Sequence, residues 1–354
     1  MGVDLTALGG WPFVLGRLIA GESLTSAQAG AALADILEGN ATSAQIAAFA
    51  VALRLRGETV EEMAGLVATM LNFAEPVDVG PDVVDTCGTG GDRSHSINVS
   101  TIASFVVAGA GARVCKHGNR AASSAAGSAD VLEALGVVID LGPSGVARCV
   151  AEAGMGFCFA PRYHAASRHA IPTRRELGVP TVFNFLGPLA NPARPRRQVV
   201  GVSDATMAEK MLGVLQANGA ERALVVFGHD GLDELTTTTT STVHELVDGT
   251  TRTYEVDPTA FGLSLASLDD LRGGDPATNA GLARQVLDGH TGPHRDIVLL
   301  NAAAGIVAAG LAPGLAEGLG LAQASIDEGK AGVVLDRLIS VSQAASADAS
   351  AESA

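Results

Sequence analysis

Residues 83–111 read VVDTCGTGGDRSHSINVSTIASFVVAGAG, which is a short apolar strand, a glycine-rich loop and an apolar helix in succession. The same alternation continues along the chain. β-prone runs occur at 83–85, 112–115, 137–140, 157–159, 198–202 and 223–227, and helical patterns occur at 128–136, 144–154 and 205–218. This alternation predicts an α/β domain in which helices flank a central, mostly parallel sheet.

The first 75 residues have a different, all-helical pattern. Thr25, Thr42 and Thr59 each precede a Gln or Glu by three residues, which is the spacing of a capping box at a helix start. Gly39 and Gly57 stand where the first two of these helices should end. Because apolar residues recur at helical spacing between these signals, we predict a small all-α domain ahead of the larger α/β domain.

The composition is that of a globular, acidic protein. Of 354 residues, 47% are hydrophobic and 17% charged, and the formal net charge of −15 argues against a nucleic-acid partner. Four cysteines without CxxC spacing indicate reduced thiols, and no apolar run is long enough for a membrane span. We expect a cytoplasmic protein. Residues 341–354, rich in Ala and Ser, are expected to form a disordered tail.

Four polar loops follow predicted strands. CGTGGD follows 83–85, KHGNRAASS follows 112–115, APRYH follows 157–159, and GHDGLDEL follows 223–227. Open α/β sheets bind their ligands beyond the carboxyl ends of the strands. We therefore expect the four loops to form one site.

The glycine-rich loop and the helix after it have the features of an anion site. Gly88 and Gly91 let a ligand approach the backbone closely. Ser100 and Thr101 open an apolar helix, whose free N–H groups and dipole favour an anion. Lys116, one of three lysines in the chain, adds positive charge directly after a strand. This pattern predicts a diphosphate site, although the glycines alone also fit an ordinary tight turn.

Asp233 and Glu234 are adjacent carboxylates in the loop after 223–227. A hard cation with water in its shell readily bridges such a pair. In a site for phosphate, Mg²⁺ held jointly by the protein and the diphosphate is the interpretation that fits the pair. The alternative is an acidic pair that opens a helix.

Four motifs occur in a fixed order along the chain: GTGGD with NVST downstream, KHGNRAASSAAGSADVLEALG, RRELGVPTVFNFLGPLANP and DGLDELT. Together they resemble the anthranilate phosphoribosyltransferases of tryptophan biosynthesis, and the likeness extends to about residue 340. The resemblance implies transfer of the 5-phosphoribosyl group from phosphoribosyl diphosphate (PRPP) to the amine of anthranilate, with Mg²⁺ as cofactor. A pyrimidine nucleoside phosphorylase-like enzyme is the alternative, but that class tends to have a Lys-Met-Ser-Gly-Arg type stretch in place of KHGNR.

The resemblance also implies a domain organisation. In that family a middle segment returns to the helical domain, so we assign 1–77 with 163–195 to the α-helical domain. Residues 78–162 with 196–340 then form the α/β domain that binds PRPP. Family members pair through the helical domain, which implies a homodimer.

Residue roles follow from positions that match the family's motifs. Those for PRPP are Gly88, Gly91, Asp92, Ser96, Asn98, Val99, Ser100, Thr101, Lys116, His117, Gly118, Asn119, Arg120, Ala121, Ala122, Ser123, Ser124 and Ser128. Those for magnesium are Ser100, Asp233 and Glu234. Those for anthranilate are Gly88, Asn119 and Arg174, with His117, Pro161 and His164 along its entry route. Lys116, Asp233 and Glu234 are expected to be catalytic, because Lys116 and the Mg²⁺ that the two carboxylates hold would take up charge as diphosphate departs.

Overall fold

The computed structural model describes residues 4–121 and 125–352, and its two hydrophobic cores lie on opposite faces of one sheet. The helices are α1 Gly10–Ile19, α2 Ser26–Leu37, α3 Ser43–Arg56, α4 Val60–Phe73, α5 Val99–Gly109, α6 Ser128–Leu135, α7 Pro143–Ala153, α8 Ala160–Tyr163, α9 Ile171–Leu177, α10 Phe183–Leu186, α11 Ala205–Ala217, α12 Pro276–Leu287, α13 Pro293–Ala308, α14 Leu315–Asp327 and α15 Lys330–Glu352. The strands are β1 Val83–Gly88, β2 Arg113–Gly118, β3 Met155–Phe159, β4 Arg197–Gly201, β5 Arg222–Gly228, β6 Ser241–Val247 and β7 Thr250–Val256. Within the described residues, no helix combines the length and the apolar character needed to cross a membrane.

Helices α1 to α4 form the N-terminal helical unit. At Thr25, Thr42 and Thr59 the hydroxyl accepts a hydrogen bond from the main-chain N–H three residues later, and the side chain there accepts one from the threonine N–H. The three predicted capping boxes are therefore confirmed. Helices α2 and α3 end next to Gly39 and Gly57, where the backbone takes a positive φ that glycine adopts without strain.

The strand order is β3-β2-β1-β4-β5-β6-β7, and all pairs from β3 to β5 are parallel. This confirms the mostly parallel sheet. Strands β6 and β7 extend it as an antiparallel hairpin that the sequence pattern did not predict.

The predicted strand at 137–140 is wrong. These residues link α6 to α7 without regular secondary structure. Val137 and Ile139 are buried in the core beside the sheet. Their β-prone apolar run therefore reflects burial of a connecting segment and not pairing with another strand.

Residues 163–195 pack against the helical unit. Helix α9 contacts α3, and Ala170, Val182, Phe183 and Leu186 belong to the same core as the residues of α1 to α4. This core also contains the sheet residues Val200 and Val225. The segment therefore ties the helical unit to one face of the sheet.

Helix α15 corrects the expectation of a disordered tail, because residues 341–352 are its last part. Ser342 is buried, and its Oγ accepts a hydrogen bond from the Val138 N–H (3.1 Å). Arg148 on α7 donates to Asp348 (2.8 Å). Alanine has the highest helix propensity, and these contacts with α7 and its preceding segment stabilise a stretch whose composition alone is typical of disorder.

Candidate active site

The four polar loops meet at one edge of the sheet, as predicted. Strands β3, β2 and β1 are consecutive neighbours, and β5 lies one strand further, beyond β4. Since all five strands are parallel, their carboxyl ends share this edge.

Two glycines let the 228–236 loop lie directly against the sheet. A Cβ added to Gly201, at the end of β4, would stand 1.6 Å from the Asp233 carbonyl oxygen. A Cβ added to Gly88, at the end of β1, would stand 2.2 Å from Asp233 Oδ2. Real Cβ atoms do not approach oxygens this closely. The position of the acidic pair therefore depends on glycine, which has no Cβ, at the ends of β1 and β4.

Asp233 and Glu234 connect the glycine-rich loop to the start of α5. The Gly90 N–H donates to Asp233 Oδ2 (2.7 Å). The Ser100 N–H, in the first turn of α5, donates to Glu234 Oε1 (3.1 Å). The acidic pair thus lies between the two elements expected to hold diphosphate.

Protein atoms surround both carboxyl groups on most sides. This desolvation, with the nearby charge of Asp92, raises the pKa of Asp233 to about 7. Burial and the charge of Asp233 also raise the pKa of Glu234 well above its ordinary value, while Lys116 opposes the shift. A concentration of desolvated negative charge favours a bound cation.

The donor set fits Mg²⁺. This ion takes oxygen ligands, and it is commonly held by one or two carboxylates together with water and substrate phosphate. Asp233, Glu234 and the Ser100 hydroxyl are oxygen donors of this kind. In the part of the chain that the structure describes, no three or more Asp, Glu, His or Cys side chains converge on a metal position. A cation here would therefore complete its shell with water or substrate.

Asn301 on α13 is a residue that the sequence reasoning missed. Its Oδ1 accepts from the Leu235 N–H (2.9 Å), and its Nδ2 donates to the Leu235 carbonyl (2.8 Å). This double contact fixes the backbone next to Glu234. The available signal was a single amide within the apolar run 297–308.

Lys116 is only 1% exposed. Its Nζ donates to the Ser100 hydroxyl (3.2 Å) and to the Thr86 carbonyl oxygen. The ammonium therefore lies next to the first turn of α5, where its charge would favour an anion at the helix N-terminus.

The loop before α5 is held by a short hydroxyl network. Asp92 accepts from the Ser94 hydroxyl (2.9 Å), which also contacts Ser96 Oγ (3.2 Å). A backbone bridge to Arg272 holds Ser96. Ser94 and Arg272 were not predicted as site residues. Their contacts nevertheless position Asp92 and Ser96, which were predicted as site residues.

Asn98 and Asn119 already serve the framework of the site. The Asn98 amide donates to the Ala126 carbonyl (3.0 Å) and accepts from Asn279 Nδ2 (2.8 Å). The Asn119 carbonyl accepts from the Ser128 hydroxyl (3.2 Å). The bond to Ala126 joins the start of α5 to the loop that leads into α6, the bond from Asn279 joins it to α12, and the Asn119–Ser128 bond closes the loop on itself.

Arg120 is engaged away from the expected phosphate position. It forms ion pairs with Asp130 and Glu133 on α6 and lies over the Phe159 ring. Asp130 also accepts from the Ala121 N–H (3.0 Å) and so shapes this loop. The predicted site residues Ala122, Ser123 and Ser124 lie outside the described residues.

His117 and His164 are in contact, with ring centroids 5.1 Å apart. Desolvation lowers the pKa of His117 to about 3, with a contribution from His164, and burial also lowers the pKa of His164. Both imidazoles are therefore neutral at pH 7. His117 pairs through Nδ1 with the Gly187 carbonyl (3.1 Å), and its buried Nε2 has no hydrogen-bond partner among the described residues.

Arg174 on α9 is half-buried, and its guanidinium lies over the Phe183 ring, 5.6 Å from the centroid. Burial lowers the pKa of this guanidinium. Its side chain has no ion pair or hydrogen bond within residues 4–121 and 125–352, and none joins it to Asn119. A desolvated arginine without a partner is suited to a carboxylate ligand. Pro161 lies exposed in the first turn of α8.

Comparison with protein families supports both parts of the fold. Residues 13–74 match the helical bundle domain of the glycosyl transferase family, and residues 80–332 match the a/b domain of that family.

Similar proteins share one activity. Anthranilate phosphoribosyltransferases of Rhodococcus opacus and Salinispora arenicola are 56% and 53% identical to this chain, over 92% and 94% of it and 92% and 97% of their own lengths. The Thermus thermophilus anthranilate phosphoribosyltransferase structure has a TM-score of 0.89 at 42% identity, covering 93% of this chain and 99% of that one. The Saccharomyces cerevisiae enzyme, in complex with PRPP and Mg, has a TM-score of 0.85 at 27% identity, covering 97% and 99%.

Proposed function

This chain belongs to the anthranilate phosphoribosyltransferases, which act in tryptophan biosynthesis, and we propose that the loops at the carboxyl edge of its sheet hold both substrates. The observation that carries the proposal is the pair Asp233–Glu234, which connects the glycine-rich loop to the N-terminus of α5 beside Lys116. Such an arrangement can hold a diphosphate together with a divalent cation.

The PRPP end of the site would combine backbone and side-chain donors. The diphosphate would lie against Gly88 to Asp92 and the first turn of α5, where N–H groups face an anion. Mg²⁺, present with PRPP in the yeast structure, would be held by Ser100, Asp233 and Glu234 and would stabilise charge on the leaving diphosphate. Lys116 would add fixed positive charge beside Ser100.

The acceptor end would bind the anthranilate carboxylate at Arg174, with Asn119 beside the amine. The neutral rings of His117 and His164 would line the approach. No protein nucleophile is needed, because the anthranilate amine attacks C1 of the ribose. Holding the amine in line contributes through orientation, an effect worth up to about 7–11 kcal/mol in favourable cases.

We also propose a homodimer formed through the helical domain, acting in the cytoplasm. Ile19 and Leu55, on this unit, are 81% and 82% exposed, and apolar side chains exposed to this degree fit a protein interface. The four cysteines are all free and buried, as in a reducing compartment. Light scattering on the purified protein should give the mass of two chains, and that mass should fall to one chain in Leu55→Asp.

Anthranilate fluorescence tests the reaction. When protein, anthranilate, PRPP and Mg²⁺ are mixed, the anthranilate fluorescence should decay. The decay should require all four components and should stop when EDTA is added. If PRPP binds by calorimetry but the fluorescence persists, the acceptor assignment is wrong. Phosphorolysis of uridine by the same protein, when inorganic phosphate is supplied, would instead favour the nucleoside phosphorylase alternative.

Arg174→Ala should raise KM for anthranilate about tenfold to a hundredfold, because a hydrogen bond to a charged group contributes about 1.5–3 kcal/mol. The effect on kcat should be within about threefold, because the bond is present in the bound state as well as in the transition state. Arg175→Ala is the matched control, since Arg175 is adjacent and exposed. A fall in kcat with KM unchanged would contradict the assigned role.

A further inference from the structure

Strands β1 and β2 pair only at their amino ends. Their last paired residues are Val84 and Val114, whereas β1 stays paired with β4, and β2 with β3, to the ends of those strands. Beyond this point the His117 N–H donates to Asp85 Oδ1 (3.2 Å) and not to a strand carbonyl. A side chain has replaced a ladder bond, so the hydrogen-bond ladder is open between the two site-bearing strands, although the strands remain packed side by side.

Asn191 bridges this opening. Its Nδ2 donates to Asp85 Oδ2 on β1 (2.9 Å) and to the Cys115 carbonyl on β2 (2.8 Å). Its Oδ1 accepts from the Ala193 N–H (2.9 Å). Asn191 is 2% exposed and Asp85 is fully buried. A buried polar group is retained at low cost only when its hydrogen bonds are made, and here they are made across the gap.

The opening is also where Lys116 crosses from β2 to β1. Its Nζ donates to the Thr86 carbonyl, an acceptor that a closed ladder would have used, and to Ser100 on α5. Burial raises the pKa of Asp85, and the Lys116 charge together with the Asn191 amide opposes that shift. The two buried groups, Asp85 on β1 and Lys116 on β2, therefore interact electrostatically across the open part of the ladder.

We propose that Asp85 and Asn191 are positioning residues, which bridge the open part of the ladder between β1 and β2 and so place the Lys116 ammonium against Ser100. The inference rests on the role proposed for Lys116 at the diphosphate. Asn191 also lies near the end of the 163–195 segment that carries Arg174. The Asn191 side chain thus connects the segment that carries Arg174 to the open part of the ladder between β1 and β2, where the Lys116 ammonium lies.

A double-mutant cycle tests the proposal. Lys116→Met should lower kcat, and Asp85→Asn should lower it about tenfold to a hundredfold with KM for anthranilate changed less than about threefold, because only the leaving-group end is affected. If Asp85 acts through Lys116, the double variant should be no slower than Lys116→Met alone. Residues that act as a unit are non-additive in this way.

Asp327→Asn is the matched control, because it removes a carboxylate from a distant pair with Arg295 (2.6 Å). Asp327→Asn should change kcat only slightly, and in the double variant this fold-change should multiply with the fold-change caused by Lys116→Met. If the fold-change in kcat caused by Asp85→Asn also multiplies with that of Lys116→Met, Asp85 acts independently of Lys116. Its role is then merely structural, and this inference is overturned. If Lys116→Met keeps the parental kcat, the role of Lys116 in the proposed function fails and this inference fails with it. Asn191→Ser, which keeps a hydroxyl donor, enters the same cycle and tests the same coupling to Lys116 if Asp85→Asn does not fold.

Discussion

Replacing Asp233 with Asn and Glu234 with Gln together should lower kcat by about a thousandfold or more, since charge stabilisation at a leaving group is worth several kcal/mol and each 1.36 kcal/mol is tenfold. The substitutions keep size and shape but remove both negative charges from the site. Steady-state assays across a Mg²⁺ series measure the effect. PRPP binding in the absence of metal should persist.

Thermal unfolding separates this loss from misfolding. The pKa of Asp233 is raised from 3.8 to about 7, so between these values the folded state binds a proton that the unfolded state has released. Stability of the ligand-free protein must then fall as pH rises through this interval. Because amides do not titrate, the double variant should have a higher Tm than the parent at pH 8, and the difference should shrink toward pH 4.

The exposed pair Asp327–Glu328, at the end of α14, supplies the control. Changing Asp327 to Asn and Glu328 to Gln alters the same number of charges on the surface and should leave kcat within about twofold, because the pair is solvated and screened. Near-parental kcat in the Asp233→Asn, Glu234→Gln variant would remove the metal assignment.

Gly201→Ala should abolish turnover almost as completely. The added Cβ would stand 1.6 Å from the Asp233 carbonyl oxygen, so either the 228–236 loop or the end of β4 must move. Catalytic groups lose effectiveness when displaced by about 1 Å, with costs near a hundredfold, and here the two carboxylates among the three proposed metal ligands move together. We expect kcat to fall about a hundredfold or more, with weaker Mg²⁺ dependence.

Gly281→Ala is the matched glycine control. It lies on α12 with nothing within 4 Å of an added Cβ, so alanine should leave activity unchanged and stabilise the helix by up to about 1 kcal/mol. A fully active Gly201→Ala variant would show that the loop adapts and that its contact with β4 does not place the acidic pair.

The predictions that are confirmed rest on local signals. The capping boxes at Thr25, Thr42 and Thr59 depend on contacts three residues apart, so the pattern and the structure coincide. The convergence of the loops follows from strand alternation, because parallel strands place their carboxyl ends at one edge.

The expectations that are wrong rest on patterns with more than one physical origin. The apolar run at 137–139 packs into the core beside α15 without any strand partner. Residues 341–352 have the composition of a tail, yet Ser342 and Asp348 bond to Val138 and Arg148, about two hundred positions away in the chain. Contacts between residues so far apart in the chain produce no recognisable pattern in the local sequence.

By itself, the sequence determined which chemical groups are present and in what order they reach the edge of the sheet, since periodicity and turn residues act over short distances. Only the tertiary structure decided how these groups are held. Asn301 and Leu235, which are hydrogen-bonded, are 66 positions apart in the chain. Asp85 and Asn191, which form the bridge between β1 and β2, are 106 positions apart. The buried state of Lys116 and the raised pKa of Asp233 depend on the same kind of contact, because desolvation is set by the atoms that surround a group and not by its neighbours along the chain.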